Sequence, residues 1–137
     1  MVVAAVLAAV PITGCASDTA KVPEAVFERG GELYRASCAS CHGADLNGAP
    51  DWRTPNEDGS YPPPPHDSSG HTWHHPNRVL VEIIRDGSDL PQSGMPAFGA
   101  QLTDEDIEAI IELIKTSWGP QERAYQNQVT GQDQARP

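Results

Sequence analysis

The chain has 137 residues, 38% hydrophobic and 6% aromatic, with 13 prolines and a net charge of −10. That length suits one domain with tails, and the many prolines with few aromatics indicate a small core and long loops. A pI near 4.7 argues against nucleic-acid binding and favours partners with basic patches or docking through an apolar edge.

The first segment, Val2 to Val10, is apolar throughout. A bilayer span needs about 20 apolar residues, so this run is too short to cross and fits the hydrophobic region of a signal peptide. Ile12-Thr13-Gly14-Cys15 resembles the bacterial lipoprotein lipobox. That resemblance implies removal of residues 1–14 and lipid on Cys15, with residues 15–22 as a polar tether. No Lys or Arg precedes the apolar run, which departs from the signal-peptide pattern. The alternative is an ordinary signal peptide followed by an unrelated cysteine.

Pro23 to Ser37 reads as a helix, with proline at an early position where its missing N–H costs nothing. Phe27, Gly30 and Tyr34 share a face. A helical glycine costs about 1 kcal/mol relative to alanine, which makes sense at Gly30 if another helix crosses closely there. Gly31 reads as the surface glycine of the pair. The helix runs into Cys38-Ala39-Ser40-Cys41-His42, a C-x-x-C-H pentad. Two thiols at this spacing can each add to one vinyl group of a single haem, and the adjacent histidine can ligate the iron. Redox dithiols and zinc sites also use C-x-x-C. The first wants a βαβ context and the second two further Cys or His ligands at matching spacing, and neither is apparent.

Residues 43–75 form a long loop rich in Gly, Asp, Asn and Pro. Such a stretch is unusual in a compact domain unless it wraps a prosthetic group. Pro76 to Asp86 reads as a helix with Leu80, Ile83 and Ile84 on one face and Gly87 as its stop. A second loop carries Gly94-Met95-Pro96. The next helix has Thr103 as N-cap, Asp106 completing a near capping box, and Leu102 with Ile107 as a staple. Ile107, Ile110, Ile111 and Ile114 form its buried stripe, and Gly119-Pro120 reads as its terminator. Residues 120–137 are polar without periodicity and read as a disordered tail.

Residues Glu24 to Trp118 resemble a mono-haem cytochrome c of the class I type. The resemblance rests on Gly30 to Tyr34 with Cys38 to Gly43, on Gly94-Met95-Pro96, and on Leu102 to Trp118, where Leu113 stands in place of a common tyrosine. It implies an all-α cytochrome c-like domain over residues 23–119, with three main helices and long loops around one covalent haem c. The N- and C-terminal helices would cross near Gly30, against Ile110 and Leu113. His42 would be the proximal and Met95 the distal iron ligand. A proline carbonyl would orient the proximal imidazole, with Pro50 as candidate. Trp73, just before the middle helix, would donate to a haem propionate, ahead of Trp52 and Tyr61. Met95 also stands out by elimination. Once Met1 leaves with the signal peptide it is the one thioether in the chain, and between Gly94 and Pro96 it is poorly placed for core filling.

The cysteines are then all assigned: Cys38 and Cys41 to haem and Cys15 to lipid. Attachment of c-type haem outside the cytoplasm agrees with export. The expected function is one-electron transfer by a monomer. It would be anchored on the extracytoplasmic face of a bacterial membrane and exchange electrons with redox proteins there. A second reading comes from His66, His71, His74 and His75, four histidines in ten residues. Imidazoles suit copper or zinc, so His71, His74 and His75 are candidate ligands of a second metal in a copper-handling or redox-sensing protein.

Overall fold

The computed structural model describes residues 22–136. The signal-peptide, lipobox and Cys15 assignments lie outside them. All regular structure among the described residues is helical. Pro23, at φ −55°, sets the start of α1 (Glu24–Ser37). Cys38 ends α1 and leads at once into the single turn α2 (Ala39–His42), which Gly43 closes at φ +81°. After the long loop, a 3-10 turn (Thr72–His74) precedes α3 (Asn77–Asp86). Gly87, also at φ +81°, ends α3 where the chain must reverse into left-handed geometry. Two further helices follow, α4 (Asp104–Lys115) and α5 (Pro120–Gln134).

The α4 start is built as its sequence dictates. Thr103 Oγ1 accepts from Asp106 N at 3.2 Å and the Asp106 carboxylate accepts from Thr103 N at 3.3 Å. This reciprocal box is capped below by Leu102 and Ile107, both buried. The stripe Ile107, Ile110, Ile111 and Ile114 then packs with Tyr34, Cys38, Leu80 and Trp118 into one core. Each isoleucine so buried contributes roughly 1.5–3 kcal/mol.

α1 and α4 form the main helix–helix contact. A Cβ at Gly30 would overlap the Ala109 carbonyl and stand 3.2 Å from Leu113 Cβ. The glycine is therefore the crossing point, as its position in the helix predicts. Arg29 closes the rim of this crossing with Asp106 at 2.8 Å. Phe27 lies at the edge and is exposed. Gly31 is not the surface glycine expected: it is buried, with Arg35 Nη1 3.3 Å from where its Cβ would stand. A long arginine side chain lies along its own helix and covers the gap.

The C-terminal tail is the larger correction. Residues 120–134 are helical rather than disordered, and Gly119-Pro120 starts α5 instead of merely ending α4. Gly119 is the N-cap and Pro120 occupies the first turn, where its ring is pre-shaped for a helix. α5 packs on α3 through polar groups and on the 3-10 turn through the ring of Tyr125. Gln126 is 1% exposed. Its Nε2 donates to Asn77 Oδ1 at 2.6 Å and Thr130 Oγ1 at 3.0 Å. Thr130 Oγ1 also accepts from Asn77 N at 3.2 Å, satisfying a first-turn N–H of α3 that Pro76 cannot cap. Arg78 and Asp133 make a two-pronged ion pair at 2.9 and 3.0 Å.

Candidate haem-attachment site

The pentad sits on the joint between α1 and α2. The Cys38 carbonyl accepts from Cys41 N at 3.1 Å and His42 N at 2.9 Å. Positions i, i+3 and i+4 share one face of a helical turn, so Cys38, Cys41 and His42 are grouped by local geometry alone. Both thiols are free; Cys38 is buried against the core and Cys41 is exposed. Burial, and then the Cys41 charge, push the Cys38 thiol up to about 11, so it is protonated at neutral pH. Tyr34, one turn before Cys38, is buried and donates its hydroxyl to Gly43 O at 3.0 Å. It thereby clamps the residue that follows His42, a role the sequence reading missed.

His42 is buried and its ring is fixed. Its Nδ1 lies 2.9 Å from the Pro64 carbonyl. A carbonyl only accepts, so Nδ1 carries the proton and Nε2 keeps the lone pair. Burial lowers the His42 pKa, opposed by the Pro64 bond, which favours the neutral ring that a metal requires. The acceptor is therefore Pro64, not Pro50, which is exposed. The reason lies in the run Pro62 to Pro65, where no N–H is available to engage neighbouring carbonyls. Pro63 O takes Ala49 N at 2.9 Å and Pro64 O takes His42. His66 N to Leu46 O, at 2.7 Å, completes the stitch between the two arms of the loop.

His66 lies flat against His42, with ring centroids 4.1 Å apart and planes at 25°. Burial first, then the His42 and His71 charges, depress it to about 3, so it is neutral. Its Nδ1 pairs with Thr72 Oγ1 at 2.9 Å, and Trp118 Nε1 donates to its carbonyl at 2.8 Å. The two imidazoles therefore lie side by side.

Trp73 packs on the core, and among the described residues its buried indole Nε1 has no partner. A buried polar group left so costs about 1–3 kcal/mol. A propionate oxygen is an acceptor that would satisfy it. Trp52 instead stacks on His71, 5.4 Å between centroids, under the Arg53 guanidinium, and Tyr61 is exposed. Met95 is partly buried in the loop after α3. That loop is closed at its base by Ser88 N to Met95 O at 3.2 Å and Phe98 N to Ile84 O at 3.0 Å. Ser93 Oγ also accepts from Met95 N at 3.3 Å. The donor set thus fits haem c: paired thiols on one turn, a neutral imidazole with Nε2 unprotonated, and an indole N–H without an acceptor.

The second-metal expectation is not met. Among the described residues no three His, Cys, Asp or Glu side chains are grouped to hold a metal ion. His71 stacks on Trp52, while His74 meets Trp73 edge-on at 3.8 Å and also Tyr125 at 5.7 Å. His75 meets His71 edge-on, at 5.7 Å between centroids. His71 and His75 thus meet each other, while His74 turns to Trp73 and Tyr125.

A family model described as cytochrome c oxidase, cbb3-type, subunit III matches residues 25–114. Searches of curated proteins and of solved structures returned no match. The matched span begins in α1, includes the pentad, the long loop and Met95, and ends within α4. The chain therefore belongs to this family of c-type cytochromes, whose domain carries covalent haem c and transfers electrons.

Proposed function

We propose that this protein is a one-electron carrier with a single haem c, ligated by His42 and Met95. It would be held by lipid on Cys15 at the extracytoplasmic face of a bacterial membrane. The observation that carries the reading is the bond from His42 Nδ1 to Pro64 O, which leaves Nε2 unprotonated on a buried, fixed ring. One pentad in the sequence supports one haem. Held by His42 and Met95, haem iron would supply a one-electron couple at raised potential.

The chain's own groups do the rest. Cys38 and Cys41 would fix the prosthetic group to the end of α1. His42 is oriented by Pro64, packed by His66 and kept neutral by burial. The loop closed on the end of α3 presents Met95, the one methionine besides Met1. His42 and Met95 together would leave the iron no open position for a substrate. The charge of −10 favours redox partners with basic surfaces, and exposed charges are screened beyond about 10 Å at 0.1 M salt. Electron exchange with such a partner slows as salt rises.

Met95→Ala tests the ligand set. The oxidised native protein should show the weak red charge-transfer band of iron–thioether bonding. The variant should lose it, fall in potential and bind small ligands at the iron. An unchanged band and potential would refute Met95. For the anchor, Cys15→Ser should release the protein from membranes, and continued membrane association would refute lipidation.

A further inference from the structure

α5 (Pro120–Gln134) lies beyond the family match, which ends at residue 114. It meets the 3-10 turn at the residue whose indole N–H lacks a partner. Tyr125 stands edge-on to Trp73, 5.6 Å between centroids at 90°, and contacts His74 at 5.7 Å and 64°. His74 in turn stands edge-on to Trp73. The three rings therefore form a closed set in which each touches the other two. Next to Tyr125, Gln126 approaches the His75 carbonyl at 3.5 Å and donates to Asn77 Oδ1. The backbone just after Trp73 thus also lies against α5.

An indole N–H donates and never accepts, so Trp73 needs an acceptor that the described protein atoms do not provide. We propose that α5 is a strap that fixes the Trp73 ring and aims its N–H at a carboxylate of the bound haem. This rests on the haem reading above. Tyr125 is the positioning residue: it acts through Trp73, and Gln126, Thr130 and Asp133 hold it in place. The recognised chemistry is a carboxylate at the prosthetic group's edge. Loss of the N–H leaves that negative charge less compensated, which stabilises oxidised iron and lowers the potential. It also raises the carboxylate's pKa, so the potential begins to vary with pH at a higher pH.

The test is a redox titration of the haem-loaded full chain across pH. Trp73→Phe should lower the midpoint potential, by about three- to tenfold in the redox equilibrium, tenfold being 59 mV for one electron. Tyr125→Leu should move it the same way by less, and Tyr125→Phe, which keeps the ring edge, should leave it at the native value. The double variant Trp73→Phe/Tyr125→Leu should shift no further than Trp73→Phe alone, because both act through one hydrogen bond. If Trp73→Phe moves the potential and Tyr125→Leu does not, the strap is overturned. A potential unmoved by Trp73→Phe overturns the carboxylate assignment while leaving the carrier reading intact. Covalent pigment and the red band, checked in every variant, separate these outcomes from failure of the carrier reading itself.

Discussion

The two helices of the C-terminal half dock by opposite means. α4 drives an isoleucine stripe into the core and crosses α1 at Gly30. α5 carries no such stripe; its one fully buried side chain is Gln126, and Thr130, Asp133 and the ring of Tyr125 add to its hold. Apolar burial is cooperative across the whole domain, whereas a polar seam is stabilised bond by bond against competing water. The attachment site draws on both. Cys38 packs in the α1–α4 core, and Trp73 lies between that core and Tyr125 of α5.

Gly30→Ala breaks the first docking mode most directly. The added Cβ would overlap the Ala109 carbonyl, a backbone atom that cannot swing aside. Overpacking of this kind costs about 1–3 kcal/mol or more, and here it should lower the midpoint of denaturation for the whole domain. Gln126→Ala attacks the second mode. It leaves Asn77 Oδ1 without its donor and costs about 1–2 kcal/mol. Its effect should be local: faster amide exchange along α5, with the α1–α4 core protected as before. Equal loss of protection in α1 would show that the two regions are not distinct.

Thr103→Ala removes one side of the α4 capping box and should cost about 1 kcal/mol, read as a global loss in denaturant unfolding. Acid should have the smallest effect. Hydrogen bonds from Arg29 and Arg78 hold the Asp106 and Asp133 carboxyls below the usual range. Their contribution is present above the ordinary carboxylate pKa and is lost as pH falls through the lowered values. α5, with no apolar stripe behind its ion pair, should loosen first, as measured by limited proteolysis over a descending pH series.

What the sequence made legible follows the same division. The pentad, the capping box at Thr103 and the isoleucine stripe are local patterns whose spacing is their mechanism, and all three lie where that spacing puts them. Gly30 was legible because a glycine inside a helix has a cost that something must offset. Pro64 was not, because the choice among proline carbonyls depends on how two arms of a loop pair, and nothing local encodes that pairing. α5 was not, because polar side chains that bury against one another leave no hydrophobic period. Its one clear signal was Pro120, at a helix's first turn, and Gly119-Pro120 also reads as a stop for α4. The histidines misled by their density: closeness along the chain says nothing of ring direction, and aromatic neighbours took the rings.

The central claim is that Cys38 and Cys41 hold a haem on the turn that ends α1. Mass spectrometry of denatured, acid–acetone-extracted protein tests it most directly. The account predicts one haem mass retained on the peptide spanning Cys38 to His42, with its colour. Haem that washes out on extraction, or a peptide with two unmodified thiols, would contradict it.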